Sequence, residues 1–222
     1  MTSSEKFDVI VIGGGHNGLV SAAVLAKAGR RALLLEADPN LGGPARTEEF
    51  HPGYRASTAH LLNRLHPEVI KALDLARHGL SFARADLAPT ALISPSRDPI
   101  LLTGGWGETI QGDVSETEKQ AWLAMRAQLV RHAAILKPFL TRLPPDLDGM
   151  PLAETLGFGG AALALKRLGT EDMRDFLRMM LMNVHDVAEE HLSSNLLKGF
   201  VAFEATLGAH LGPRSPTSLL GL

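Results

Sequence analysis

Asp8-Val9-Ile10-Val11-Ile12-Gly13-Gly14-Gly15-His16-Asn17-Gly18 is an apolar β run that ends in glycines at G-x-G-x-x-G spacing. A helix of small residues follows through Ala22, Ala23 and Ala26. A second run, Ala32-Leu33-Leu34-Leu35, then ends on an acid, Glu36. Each part has a physical job. Gly13 permits the tight turn, Gly15 lets backbone approach a pyrophosphate, and Gly18 lets the helix pack close to the strand. Gly14, His16 and Asn17 complete the loop, with His16 contributing backbone more than imidazole. The free N–H groups and positive dipole end of the helix favour phosphate charge there. Glu36 lies roughly 20 residues downstream, where an acid accepts hydrogen bonds from a ribose diol. Glycine spacing alone is weak evidence. Strand, glycines, helix, strand and acid in this order predict a dinucleotide site; a glycine-rich βαβ turn without a ligand is the alternative.

The next stretch, Ala37-Asp38-Pro39-Asn40-Leu41-Gly42-Gly43-Pro44-Ala45-Arg46-Thr47, adds a second glycine pair. A nicotinamide dinucleotide does not need it. Such a pair allows a second close approach of backbone to a cofactor, with Arg46 a candidate for its charge; a plain loop turn is the other reading. Here the chain resembles the FAD-binding GG-doublet flavoproteins, and among them phytoene-dehydrogenase-like oxidoreductases of the pyridine nucleotide-disulphide oxidoreductase domain-containing protein 2 type. The stretches that carry the likeness are Gly13 to Gly18, Glu36 to Gly43, Thr47-Glu48-Glu49-Phe50-His51-Pro52-Gly53-Tyr54 and Leu207 to Pro216. The resemblance implies FAD as cofactor and adds Ala37, Gly42, Gly43, Arg46 and Thr47 to the cofactor site. It also implies that Tyr54 to Asn63 lies near the flavin. One departure is visible: Pro44 and Ala45 separate the pair from Arg46, whereas many members place arginine directly after it.

Composition narrows the alternatives. With 45% hydrophobic and 21% charged residues, the 222-residue chain has a globular composition. A net charge of −2 gives no electrostatic case for nucleic acid or an anionic membrane. There is no cysteine, which excludes a C-x-x-C redox centre, a cysteinyl flavin link and a thiolate nucleophile. Lack of disulfides fits a reducing compartment, and a cytoplasmic location is expected. No apolar run reaches the roughly 18 residues of a membrane span, so no integral membrane segment is expected.

Along the chain, residues 1–75 read as the FAD-binding unit and 76–222 as a substrate or interaction region. The first helix is expected to stop near Gly29, and His51-Pro52-Gly53 to form a turn. His66-Pro67-Glu68 opens a helix through Leu75 that Gly79 ends. Short strands are expected over about 80–103, at Thr90 to Ser94 and Pro99 to Thr103, broken by Gly104-Gly105-Trp106-Gly107. Helices fill about 115–205. Ser115 and Glu118 form a capping-box signature, and Trp122, Met125, Leu129 and Ala133 share a face of the helix that follows. A later helix carries Met173, Phe176, Leu177, Met180, Leu181 and Val184 on one face. Met179, Met180 and Met182 beside Phe176 are an adaptable wall for an apolar substrate, or core packing. The fold class expected is α/β, a Rossmann-like unit with a mixed α+β, largely helical region.

Catalytic residues are not legible. No serine, histidine and acid triad stands out, and flavin chemistry requires none. His51 and His60 flank the presumed flavin region. His185 with Glu189 is the one plausible ligand pair on a helix, so no metal site is expected. Only residues 7–12 and 32–36 read as strands of a nucleotide-binding sheet, and such a pair cannot bury itself. A C-terminal half or complementary subunit is therefore the expected partner, beside a small apolar or amine substrate. Three readings stay open: an N-terminal fragment, one half of a split flavoenzyme, or a chain that folds alone with a reduced sheet. The function expected is FAD-dependent oxidation of a C–C or C–N bond. The alternative is a non-catalytic dinucleotide-binding subunit or scaffold.

Overall fold

A computed structural model describes residues 5–57, 65–82, 90–91, 99–140 and 152–222, with side chains from 159 in the last stretch. Residues 58–63 of the expected flavin-side stretch, His60 among them, and residues 92–94 of the expected strand lie outside the described residues. The chain divides into two compact units, residues 1–83 and 84–222. The first begins with β1 (Val9–Ile12), α1 (His16–Lys27) and β2 (Ala32–Leu35). β1 and β2 pair in parallel, Val9 opposite Ala32 and Ile12 opposite Leu35. Strand, helix and parallel strand in this order make a Rossmann-like crossover. α1 ends as Gly29 predicts: Arg30 N–H donates to the Leu25 carbonyl and Gly29 N–H to that of Ala26, the two bonds of a Schellman motif. β3 (Thr47–His51) and β4 (Tyr54–Ser57) form an antiparallel hairpin around Gly53.

α2 (Pro67–Leu73) begins at His66, whose Nδ1 accepts from Glu68 N–H. It ends two residues before the expected Leu75. Asp74 takes the left-handed conformation and stops it, so Gly79 belongs to a following turn and not to the helix end.

The second unit opens on a three-stranded antiparallel sheet of β5 (Thr90–Ala91), β6 (Ile100–Thr103) and β7 (Thr109–Gln111). β7 has no counterpart in the sequence expectation. Gly104 to Gly107 does not end the strands; it is the loop of a β6–β7 hairpin. That loop is strapped to α3 (Glu116–Leu136), where Trp122 Nε1 donates to the Gly107 carbonyl at 2.8 Å and Arg126 Nε to that of Trp106 at 3.0 Å.

Ser115 caps α3, its Oγ accepting from Glu118 N–H. The other half of the expected capping box is absent. The buried Glu118 carboxylate instead accepts from the N–H groups of Ser193 (3.0 Å) and Ser194 (2.8 Å). It therefore ties the start of α3 to the segment just before Asn195. The buried face of α3 begins with Trp122 and Met125 as expected, but continues through His132 and Ile135, leaving Ala133 exposed.

α4 (Leu152–Arg167) and α5 (Thr170–Met179) follow. No described helix is long and apolar enough to cross a membrane. The apolar face expected to run from Met173 to Val184 breaks, because Asn183 Oδ1 accepts from Asp186 N–H and starts a new helix, α6 (Val184–His191). Phe176 and Met179 stay buried, whereas Leu177 and Leu181 turn outward. α7 (Asn195–Thr206) and a terminal 3-10 turn (Ser218–Gly221) complete the unit. Buried Ser218 joins that turn to α6, accepting from Val184 N–H and donating to the Pro213 carbonyl.

One core holds this second unit together: Ile100 and Leu102 from β6, Trp122 and Met125 from α3, Met179, and Val187, Leu197 and Val201 from α6 and α7. The face around Trp122 is thus covered within the chain and needs no outside partner. The first unit is different. Among its described residues Gly14 alone is buried, while Ile10 is 58% and Ile12 86% exposed.

Because Glu118 satisfies two backbone donors inside the unit, Glu118→Ala is expected to cost about 2–4 kcal/mol. Urea unfolding followed by tryptophan emission measures it, and a loss below about 1 kcal/mol would show that water replaces the carboxylate.

Candidate functional site

The predicted loop residues meet at the C-terminal ends of β1 and β2. Gly13 turns the chain at φ +101°, and its N–H continues the ladder onto the Leu35 carbonyl at 2.8 Å. Gly15 is the N-cap of α1 and provides no side-chain cap. The N–H groups of the first turn, from His16, Asn17 and Gly18, are those a helix leaves without intrahelical partners. A Cβ placed on Gly15 would meet nothing within 4 Å, so the space above the loop is open. Gly18 is the opposite case. A Cβ there would sit 1.9 Å from the Gly13 carbonyl oxygen. That contact fixes how closely α1 approaches the turn.

Glu36 closes the loop from the other side. Its Oε2 accepts from Gly14 N–H at 2.5 Å, and Oε1 from Ala37 N–H at 2.8 Å and Asp38 N–H at 3.0 Å. The Asp38 N–H, then the Gly14 N–H, hold its carboxyl below the usual range, so it is ionised at neutral pH. The acid at the end of β2 thus reaches across to the glycine turn at the end of β1.

The second glycine pair lies against the first loop. Gly42 N–H donates to the Gly14 carbonyl at 2.8 Å, and Gly42 bridges Gly15 in parallel fashion. A Cβ on Gly43 would lie 3.2 Å from Gly15 Cα. Two glycine segments, 27 positions apart in sequence from Gly15 to Gly42, therefore share one contact, which neither motif predicts by itself.

Arg46 lies at the rim of this region. Its Nη1 reaches Asp38 Oδ1 at 2.9 Å and the Asn40 carbonyl at 3.0 Å, and its Nε reaches Glu48 Oε1 at 2.9 Å. The Arg46 guanidinium holds the Asp38 carboxyl below its ordinary value. Glu36, Asp38, Asn40, Gly43, Pro44, Arg46 and Glu48 line a cavity of about 340 Å³. Asp38, Asn40 and Glu48 are members of the site that sequence reasoning misses. Their signal is local: two acids and an asparagine within reach of a single arginine. Thr47 starts β3 opposite Ser57. His51 packs edge-on against Tyr54, ring centres 5.5 Å apart. His185 and Glu189 are engaged separately, with Arg214 at 2.9 Å and Lys198 at 2.7 Å.

Comparison with known proteins agrees with this geometry. The NAD(P)-binding Rossmann-like domain matches residues 11–74. Over 96% of its length the chain is 29% identical to pyridine nucleotide-disulfide oxidoreductase domain-containing protein 2 of Rattus norvegicus, covering 39% of that protein. (S)-6-hydroxynicotine oxidase of Paenarthrobacter nicotinovorans is 39% identical over 39% of the chain and 23% of the relative. A solved triple mutant of putrescine oxidase superposes with a TM-score of 0.50 at 14% identity, covering 97% of this chain and 40% of that one. At that identity the likeness concerns the fold alone. The fold is thus α/β with a Rossmann-like nucleotide-binding unit, and the likeness to pyridine nucleotide-disulfide oxidoreductase domain-containing protein 2 runs over 96% of the chain. The chain spans about two fifths of the length of the relatives it matches from end to end.

Gly18→Ala is expected to force α1 away from the turn and to destabilise the first unit by about 1–3 kcal/mol. Amide hydrogen exchange should then accelerate in residues 9–12 and not in 184–205. Unchanged exchange in β1 would mean that the helix can shift without loss.

Proposed function

We propose that the chain is the FAD-binding part of an oxidoreductase that oxidises a C–C or C–N bond of an apolar or amine substrate. The observation that carries this reading is the contact between the two glycine segments, Gly13 to Gly18 and Gly42-Gly43. A nicotinamide site requires the first alone. The second fits a longer cofactor that follows the backbone past its pyrophosphate. The residues suit such a group. Gly15 leaves open space, the first turn of α1 offers backbone N–H groups, and Glu36 is an ionised acceptor at the end of β2.

In this reading the N–H groups of His16, Asn17 and Gly18 hold the pyrophosphate, and Glu36 accepts from the ribose hydroxyls while keeping its bond from Gly14. Gly14, Ala37 and Thr47 line the cofactor through backbone. Arg46 acts chiefly through the loop, joining Asp38, the Asn40 carbonyl and Glu48 beside Gly42-Gly43. Its charge is balanced by these carboxylates, so pyrophosphate binding falls mainly to the helix. Bound FAD would supply the redox chemistry by accepting the two electrons of the oxidised bond. The chain's part is to bind and orient it.

The same reading includes a C-terminal half or a complementary subunit. The exposure of Ile10, Ile12 and Leu35 supports it, since a parallel sheet is ordinarily covered on both faces. The fraction of each relative that the chain covers supports it too. A second reading, a dinucleotide-binding subunit without turnover, draws on the same exposure: among the described residues nothing covers β1 and β2 to enclose a reaction pocket beside them.

The visible absorbance spectrum of the purified chain, alone and co-expressed with a C-terminal counterpart, tests the proposal. Flavin bands and turnover with amine or polyene substrates are expected only with the counterpart. A yellow, active monomer of this chain alone would refute the shared-site reading, and a preference for NAD over FAD in the complete protein would refute the cofactor. In the complete protein Gly15→Val is expected to abolish FAD binding. Glu36→Ala should weaken it by about 1.5–3 kcal/mol, and equal affinity of parent and variants would remove both residues from the site.

A further inference from the structure

The helical unit contains an apolar cavity of about 310 Å³. Leu129, Ala133 and Leu136 of α3 line it, together with Met180, Trp106 and Leu219. The volume corresponds to roughly ten water molecules at about 30 Å³ each, but apolar walls hold water poorly. One residue breaks the apolar lining. His132 belongs to the wall, is 2% exposed, and has no hydrogen-bond partner at Nδ1 or Nε2 among the described residues. Its ring stands edge-on to Phe176, centres 5.3 Å apart.

Burial, then Arg131, pushes the imidazole pKa down, against the opposing pull of Asp172 and Asp175. The ring is therefore neutral at neutral pH, with one donor and one acceptor nitrogen. Buried polar groups ordinarily find partners, and one left without them calls for an explanation. A leucine at position 132 would continue the buried face of α3 with no unmet group.

We propose that this cavity binds a compact apolar molecule with one neutral hydrogen-bonding oxygen, an alcohol or a ketone, and that His132 is its polar partner. Among the described residues no charged side chain lines the cavity, so a carboxylate or an ammonium would lose its hydration without gaining a counter-charge. Both nitrogens are closed to solvent in the ligand-free chain. The ring must therefore turn about its Cβ–Cγ bond as the ligand seats. The exposed side chains of Val130 and Leu220 in the lining leave a way in. The inference does not rest on the dinucleotide reading and is tested without any cofactor.

The two tryptophans of the chain provide the signal. Trp106 lines the cavity, and its ring lies 5.6 Å from that of buried Trp122. Menthol, p-menthane and menthylamine share one ring skeleton and differ in the attached group. Titrated into the full chain, menthol should change tryptophan emission saturably and bind about five- to tenfold tighter than p-menthane, with menthylamine weakest at neutral pH. In His132→Phe, p-menthane should keep its affinity and the advantage of menthol should fall below about twofold. The ligand-free variant should melt no lower than the parent, since it loses an unmet polar group. Ala133→Phe, which narrows the cavity without touching His132, should weaken menthol and p-menthane together and supports the assignment if His132→Phe does not fold. Equal affinity for menthol and p-menthane in the parent, no saturable response, or an undiminished menthol preference in His132→Phe would overturn the proposal.

Discussion

There is no room for a methyl group at position 18. The Gly13 carbonyl lies where a Cβ would be, and this one contact sets the distance between α1 and the turn that leaves β1. With the helix held that close, its first N–H groups face the open space beside Gly15. Glu36 can then span from the end of β2 to the Gly14 N–H, and Gly42 can reach the Gly14 carbonyl. Side chains at these positions would separate the segments, and the backbone groups would no longer meet. The site is therefore made largely of main chain, which is why glycine, and not any reactive residue, marks it.

The two units reach order by different means. In residues 84–222 a shared core of aromatic, methionine and branched side chains is drawn from four helices, α3, α5, α6 and α7, and a small sheet. In residues 1–83 order comes from backbone ladders, glycine contacts and a surface network around Arg46. Surface ion pairs contribute little each, typically below about 1 kcal/mol. Burial of apolar area is the dominant source of folding free energy, and the first unit has little of it. Its shape is specified more firmly than it is stabilised.

That contrast explains what is legible in the sequence. Strand, glycine turn, helix and acid can be read because each is local and each has a residue type that few others can replace. Ser115 is legible as a cap, but the reach of Glu118 to Ser193 and Ser194 is not. A capping box is defined over four positions, and the actual partners are 75 and 76 residues away. The long apolar face after Thr170 matches helical spacing through Val184, yet Asn183 supplies a competing cap and divides it. β7 escapes because Thr109-Ile110-Gln111 is a strand only through its pairing with β6. Arg46 reads as a free charge, since spacing does not reveal that Asp38 and Glu48 flank it in space.

The Glu118 carboxylate also bears on the order of folding events. The bond it forms closes a loop of 75 residues, and chain closure of that length is an entropic cost that must be met before the contact returns anything. The helical unit also has contacts of short range: the β6–β7 hairpin pairs Leu101 with Gln111 and Thr103 with Thr109, and α6 packs on the α7 that follows it. The Glu118 carboxylate is of another kind, a clasp between the start of α3 and the start of α7 that neither helix could reach by local contacts.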